Sequence, residues 1–329
     1  MRGLVPSAVV TSAAAAAALA RLGARERPTS PGPRGDDEAF FDCAEPECEA
    51  APAACGPGNN NDKIPLNSSL LATAAQGDDD ACNAWTPLPS ARVFRVRQGP
   101  SYAVHRRKLP AEGPPLYTVL AVDVFSSPTK VLNLAARMDL PRANAESRVP
   151  EFFVVNFMLP LEPPSLLKNT GDGPTVCMHV VLQLSDWARA HPDHASLRLL
   201  ERFVDDCQEG GAMRERLKII FQVCNRDQLN LNVAVGTAYD RYNGLPFLFR
   251  SYNSTYVRHG GCFIANFDCH KSGYAARMGR YGLLAIAHKI VCQCAFLVES
   301  QADDEMPERL LGCFTVHRLN VLNAKPLPV

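Results

Sequence analysis

The sequence lacks the short motifs that mark the common enzyme classes. It contains no GxSxG nucleophile elbow, no HExxH zinc site, no Walker-type phosphate loop and no GxGxxG stretch opening a helix. These absences argue against a serine hydrolase, a zinc protease and a nucleotide-dependent enzyme. We therefore expect a protein that is not an enzyme.

The chain has 12 cysteines, but they do not have the spacing of metal ligands. Structural zinc needs four converging ligands, and no CxxC pair with a second ligand pair is present. The triplet Asp268-Cys269-His270 carries a thiol next to an imidazole, but neighbouring strand residues point to opposite faces. We predict no metal and no cofactor, with a cysteine-dependent hydrolase as the lesser alternative.

The chain also lacks net charge, yet its charge is unevenly distributed. Residues 1–84 hold 6 Lys and Arg against 12 Asp and Glu, whereas residues 85–329 hold 28 against 22. The excess of basic over acidic residues in 85–329 is small, which argues against nucleic acid as a partner. It is compatible with a weak preference for anionic surfaces.

The N-terminal part divides into two segments that we do not expect to fold. Residues 1–24 combine Arg2 and Arg21 with an alanine-rich apolar run, which fits a secretory or organelle leader and fits a low-complexity tail equally well. Residues 25–84 are rich in Pro, Gly, Asn and Asp and predict a disordered acidic linker. The folded domain is expected at residues 85–329.

Strands dominate the expected folded domain and do not alternate regularly with helices, of which we expect two. The centre is Val235–Asp268, where Asn243-Gly244 and Gly260-Gly261 mark turns between strand-length apolar pieces. A shorter middle helix is expected after Asp193, and Ser272–Glu299 is apolar around most of its circumference, which predicts a long buried C-terminal helix. The predicted fold class is α+β with a mainly antiparallel sheet.

Several collinear motifs resemble one known family. They are Trp85, the Phe94-Arg-Val-Arg97 strand with Gly99 and Tyr102 following, the Val122-Asp123 strand, Val155-Asn156-x-x-x-Pro160, the helix around Leu199–Asp206, and the run Phe296–Gly312. Together they resemble the C-terminal domain of the plant Enhanced Disease Resistance 2 family. The resemblance implies a non-enzymatic, lipid- or membrane-associated domain.

An island in the acidic linker resembles a second known element. Phe40 and Phe41 lie in an acidic tract, with Asp42 and Glu45 after them. This resembles the FFAT motif by which lipid-transfer proteins attach to VAP receptors on the endoplasmic reticulum, although Ala39 departs from the usual acidic first position. Since VAP receptors bind peptides in the cytosol, a cleaved secretory leader at residues 1–24 would conflict with this interpretation.

Basic residues near the domain start are the candidate lipid site. Alternation in the first strand places both of its arginines on one face, and a turn brings a second basic cluster back toward it. The candidates are Arg95, Arg97, Arg106, Arg107 and Lys108. We expect a peripheral membrane module facing the cytosol, which binds phospholipid and acts in lipid transfer or signalling, with a protein-interaction scaffold as the alternative.

Overall fold

A computed structural model provides the coordinates. It describes residues 63–73, 81–99, 102–143, 148–165, 171–231, 236, 239–240 and 242–328. The leader, most of the acidic linker and the FFAT-like residues Phe40, Phe41, Asp42 and Glu45 lie outside the described residues.

Strands dominate the described chain. They are β1 (Leu71–Ala72), β2 (Ala84–Pro87), β3 (Arg95–Arg97), β4 (Lys108–Pro110), β5 (Tyr117–Ser127), β6 (Phe152–Pro160), β7 (Thr175–Leu184), β8 (Leu217–Val223), β9 (Pro246–Leu248), β10 (Ser254–His259), β11 (Cys262–Asp268), β12 (Val291–Val298), β13 (Leu310–His317) and β14 (Lys325–Pro326). The α-helices are α1 (Tyr102–His105), α2 (Asp186–Ala190), α3 (Ala195–Asp206) and α4 (Tyr274–Ile286).

These strands form two six-stranded sheets and a small hairpin. Sheet I has the order β1-β2-β13-β12-β8-β9, and sheet II has the order β10-β11-β6-β7-β5-β14. The hairpin pairs β3 with β4. Most neighbours are antiparallel, but β1–β2, β6–β11 and β5–β14 are parallel.

The main core lies between the two sheets and is filled by large side chains. Phe157 of sheet II stacks on Phe296 of sheet I, with ring centroids 6.2 Å apart. The sheets approach closely at Gly312, where an added Cβ would lie 2.9 Å from Leu182 Cδ2. Interdigitation of this kind is how two sheets form one dense layer between them.

The outer face of each sheet is covered as well. On sheet I, Phe94, Val96 and Ala111 of the β3–β4 region pack against Ala295 and Leu297 of β12. On sheet II, a second cover comes from two segments: Ile64 pairs with Met138 as an isolated bridge, and both side chains are buried. Central strands therefore have apolar side chains on both faces.

The predicted long C-terminal helix is wrong. The stretch Ser272–Glu299 instead forms α4, a short 3-10 helix at Ala287–Lys289 and then strand β12. Within β12, Cys294 and Phe296 face the inter-sheet core while Ala295 and Leu297 face the cover. A strand buried on both faces is apolar at every position, so its sequence imitates a helix that is apolar all round.

The α+β fold class is also wrong, because the described chain is mostly β and its helices are short and peripheral. The predicted middle helix is present as α3, and Leu200 and Phe203 on its inward face are fully buried. The physical reason is that strands pair into two sheets that cover each other, and α3 adds Leu200 and Phe203 to the core between them.

The folded unit begins ahead of Trp85. Residues 63–73 lie on the domain, since Ile64 and Leu70 are buried and β1 pairs with β2. The predicted boundary at residue 85 leaves out this segment, which is too short to be distinguished from the linker by composition alone.

Candidate functional site

The β3–β4 surface brings together most of the predicted basic site. We use this name for Arg95, Arg106, Arg107 and Lys108. Register places Arg97 opposite Lys108, so the second basic cluster does return beside the first strand. Arg95, Arg106 and Arg107 are exposed, and Arg95 Nη2 donates to the carbonyl oxygen of Lys108 at 2.7 Å.

Three further exposed residues belong to the same neighbourhood and were missed from the sequence. Arg92 precedes β3, and Val93 and Val104 are 41% and 76% exposed. A usable signal was present, because the chain has no Asp or Glu from residue 81 to residue 111. Exposed valines among cations give this surface an amphipathic character.

Arg97 does not share this surface. It is only 5% exposed, and its Nη1 lies 3.0 Å from Glu299 Oε1 and donates to the carbonyl oxygen of Ser300 at 2.9 Å. The neighbouring Val96 packs against β12 on the outer face of sheet I, and this packing fixes the position of Arg97. Arg97 is thus occupied by buried partners and is out of reach of a headgroup at the surface.

Arg97 belongs to a buried ion-pair network with Lys218, Glu299 and Glu308. Lys218 Nζ lies 2.5 Å from Glu299 Oε2 and 3.8 Å from Glu308 Oε1. Glu308 also accepts from two backbone N–H groups, those of Arg97 at 2.8 Å and Ser300 at 3.2 Å. The network joins β3, β8 and the loop between β12 and β13 on the outer face of sheet I.

The pKa values of the two carboxylates in this network are shifted in opposite directions. Burial by itself raises the pKa of Glu299, but the charges of Lys218 and Arg97 outweigh it and hold that pKa at about 2. For Glu308 burial prevails over the same two cations, so its pKa is raised. Such divergence is typical of catalytic acid–base pairs and also of structural ion-pair networks.

The loop that carries these carboxylates contains a third buried acid. Glu305 accepts from the backbone N–H of Gln301 at 2.6 Å, and Arg216 Nη1 lies 2.9 Å from its Oε2. Arg202 of α3 pairs with it from the other side. The run Phe296–Gly312, which carries the family resemblance, therefore contains a loop whose backbone N–H groups are bound by its own buried carboxylates.

A second buried polar group crosses sheet II. The polar row consists of Asp123, His179, Asn156 and Asn266, which are neighbours in register on four adjacent strands and at most 1% exposed. Asp123 accepts from the backbone N–H groups of Asn67 and Ser69, each at 2.8 Å. Asn156 and Asn266 are joined by an amide hydrogen bond of 2.9 Å.

His179 lies in the middle of this row. Neither ring nitrogen has a hydrogen-bond partner among the described residues, and burial lowers the pKa of the imidazole to about 3. Its ring is therefore neutral at physiological pH. Asp123 and Asn156 come from the two strand motifs of the family resemblance, so these motif residues build a buried row and not an open cleft.

The geometry offers little to a cysteine nucleophile. Cys269 is 1% exposed and burial raises its pKa, while His270 Nε2 lies 2.9 Å from the hydroxyl of Thr175. Burial also raises the pKa of Cys177 to about 11 and that of Cys313 to about 12. Nucleophilic cysteines have lowered pKa values and partial exposure, which are the opposite properties.

The two best-formed cavities between the described residues are small. They measure about 140 Å³, beside Leu70 and Val321, and about 40 Å³, beside Leu284 and Leu322. Sites for drug-sized ligands occupy roughly 300–1,000 Å³.

Within the described part of the chain, no three side chains of His, Cys, Asp or Glu converge in a way that would hold a metal ion. None of the helices in these ranges has the length and apolar character needed to cross a bilayer.

The fold and its surfaces define a closed two-sheet domain with a basic, partly apolar surface. The family described as Protein ENHANCED DISEASE RESISTANCE 2, C-terminal, matches residues 85–320, and the chain belongs to this family. The match confirms the resemblance drawn from the sequence motifs. No solved structure matches the chain significantly.

Proposed function

We propose that the domain is a non-enzymatic module that associates with anionic membranes through its surface. The observation that carries this proposal is the β3–β4 surface, where Arg95, Arg106 and Arg107 are exposed beside Val93 and Val104. Each basic side chain near an anionic membrane contributes about 1 kcal/mol, an attraction that fades over a Debye length of about 8 Å at physiological salt.

Contact at the surface, and not enclosure of a lipid, is the mode that we propose. A carrier that transfers lipid needs an internal space, and the two best-formed cavities, of about 140 Å³ and 40 Å³, are too small for it. A surface module needs only a rigid platform. The packing of Phe94 and Val96 on sheet I holds the basic hairpin in that way.

Vesicle sedimentation of the full chain tests this proposal. Wild-type protein is expected to sediment with vesicles of phosphatidylcholine and phosphatidylserine at low salt, and to be released as salt rises. Changing Arg106, Arg107 and Lys108 to Glu together should reduce the bound fraction at least tenfold, since three favourable contributions of about 1 kcal/mol become repulsive. Binding that ignores both salt and charge reversal refutes the proposal.

We further propose that the acidic linker attaches the chain to a VAP-type receptor through Phe40 and Phe41. The support is the sequence of the segment alone: two aromatic anchors among carboxylates that would steer toward a basic receptor surface. A peptide of residues 36–45 should bind the receptor domain weakly, and Phe41→Ala should abolish binding. No binding by the parent peptide refutes this proposal.

A further inference from the structure

One arginine and two histidines gather around the indole ring of Trp187 on α2. The guanidinium of Arg309 lies over this indole, 4.1 Å from the ring centroid. The His191 ring stacks on the indole at 4.6 Å, and the His194 ring meets it at a steep angle at 5.1 Å. All three groups therefore contact one side chain. We call Trp187, His191, His194 and Arg309 the Trp187 cluster.

The loop before β5 holds the Arg309 guanidinium in this position. Arg309 Nη1 donates to the carbonyl oxygen of Pro114 at 3.0 Å. Gly113, the preceding residue, has φ +70°, and a Cβ added there would lie 2.6 Å from the same nitrogen. Any other residue would be strained at this φ and would push the guanidinium away from the loop. The Pro114 carbonyl and the indole together thus fix the arginine at the surface.

Arg309 has no carboxylate partner among the described residues. Burial lowers its pKa with no acid to oppose the shift, and its Nε is buried without a hydrogen-bond partner. Arg226 offers a comparison: it lies over the Tyr239 ring at 5.4 Å, but its Nε is 3.2 Å from Asp240 Oδ1. A partly buried cation without a counter-charge is costly, and a bound anion would reduce that cost.

The two imidazoles add hydrogen-bond donors beside this arginine. His194 Nδ1 accepts from the backbone N–H of Ser196 at 3.2 Å, so the neutral ring carries its proton on Nε2. His191 Nδ1 lies 2.7 Å from the carbonyl oxygen of Trp187 and donates to it. The Nε2 atom of His191 then becomes a second donor when the ring is protonated.

The electrostatic surroundings of His194 are positive. Its pKa is lowered first by burial, and then by the charges of Arg309, His191 and Arg198. Arg198 itself donates to the backbone carbonyl oxygen of Asp193 and not to a carboxylate. The positive charges in the structure thus lie close enough together to act on one another, and a bound anion would relieve their repulsion.

We propose that the Trp187 cluster binds a phosphate group, either a phosphate monoester or inorganic phosphate. Arginine presents a planar fork of donors that matches phosphate oxygens, and stacking on an aromatic ring preorganises that fork. A phosphate dianion has enough oxygens for the arginine and both imidazoles, whereas a carboxylate has only two oxygens and a single charge. The site goes beyond the proposed membrane association, since none of its residues belongs to the β3–β4 surface.

Titration of the full chain with inorganic phosphate tests the site directly. Isotope labelling of the eight histidines allows their ring resonances to be followed by NMR, with His191→Gln and His194→Gln assigning two of them. Phosphate should shift the resonances of His191 and His194 with saturation, and potassium chloride at the same ionic strength should not. If both rings are unchanged up to about 20 mM phosphate, well above a millimolar Kd, the inference is overturned.

Arg309→Gln removes the central charge and should weaken phosphate binding about tenfold or more. Its matched control is Arg226→Gln, which removes a stacked arginine that already has a carboxylate partner and should bind phosphate as wild type does. If Arg309→Gln does not fold, the exposed His191→Gln gives the same test, with the exposed His259→Gln as its control. A phosphate affinity equal to that of wild type in the folded cluster variant overturns the inference.

Vesicles distinguish a lipid head group from soluble phosphate as the source of the ligand. Phosphatidic acid in phosphatidylcholine presents a phosphate monoester, whereas phosphatidylserine presents a diester. If a lipid is the source, Arg309→Gln should lower binding to phosphatidic acid vesicles about tenfold and leave binding to phosphatidylserine vesicles of matched charge unchanged. If it changes neither, while the phosphate titration shows binding, the ligand is a soluble phosphate. An equal loss on both vesicles overturns the inference, because Arg309 then acts as one more surface charge.

The same experiments separate this site from the β3–β4 surface. Changing Arg106, Arg107 and Lys108 to Glu should reduce binding to phosphatidylserine vesicles and leave the phosphate titration as in wild type. If this variant keeps its vesicle binding, the membrane proposal fails and the phosphate site stands. If it loses its phosphate binding, the Trp187 cluster is not an independent site and the inference is overturned.

Discussion

The outer faces of the two sheets each bury a polar cluster, and the two clusters handle charge differently. On sheet I, the ion-pair network places two cations against two carboxylates, with Lys218 and Glu308 at 1% and 3% exposure. On sheet II, the polar row has one carboxylate, Asp123, next to the neutral His179. The first cluster is held by opposite charges, and the second by backbone donors from a covering segment.

The difference shows what the family motifs are for. In both clusters, motif residues fasten a cover to a sheet: Arg97 and Glu308 fasten the β3 hairpin, and Asp123 fastens the segment of Asn67 and Ser69. These charges are consumed inside the protein. The exposed Arg95, Arg106 and Arg107 of the β3–β4 surface lie outside both clusters.

The largest expected effect is at the charged cluster. Lys218→Met removes one of the two cations that face the buried carboxylates of Glu299 and Glu308, which should cost about 3–5 kcal/mol of unfolding free energy. Lys289→Met makes the same change at an exposed position and should cost less than about 0.5 kcal/mol. Urea denaturation of both variants measures the difference, and equal stabilities would show that the network does not hold the cover.

A smaller loss is expected at the row on sheet II. Asp123→Asn removes one of the two oxygens that accept from the backbone of Asn67 and Ser69, leaving a buried donor unpaired, at a cost of about 1–3 kcal/mol. Residues 63–73 should then become accessible to protease before the sheets unfold. Asp139→Asn, at an exposed position, serves as the control. If residues 63–73 of the Asp123 variant resist protease as they do in wild type, Asp123 does not hold this segment on the sheet.

The acid response should distinguish the two clusters further. The folded pKa of His179 is about 3, below its ordinary value of 6.5, so the unfolded chain takes up a proton that the folded chain refuses. Stability is therefore complete above about pH 6.5 and falls as pH decreases toward 3, by about 2 kcal/mol between pH 7 and 5.

His179→Leu should remove that slope while leaving stability at pH 7.5 nearly unchanged, and the exposed His259→Leu should keep the wild-type slope. Thermal unfolding across this pH range is the measurement. Glu299, with its pKa of about 2, acts in a different window: its contribution is present above about pH 4.5 and is lost as pH falls toward 2. A His179 variant as acid-sensitive as wild type would contradict the assignment.

The sequence predicted a strand correctly where a turn marked its start, as in β11, which follows Gly260-Gly261. It misplaced β12, because a strand covered on both faces lacks the alternation that identifies half-buried strands. Alternation correctly separated the exposed Arg95 from the buried Val96, and lipid binding at the β3–β4 surface stays a prediction. Sequence could not place Arg97 among Glu299 and Glu308, which come from about two hundred positions further along the chain.

Native mass spectrometry of the full chain, purified from cells and re-isolated after incubation with anionic vesicles, tests the central claim most directly. The claim is that a closed sandwich meets lipid at its surface, since Phe157, Phe296 and their neighbours fill the space between the sheets. The account predicts the mass of the bare chain, because surface contacts do not survive separation from the vesicles. A stoichiometric lipid retained by each chain would contradict it.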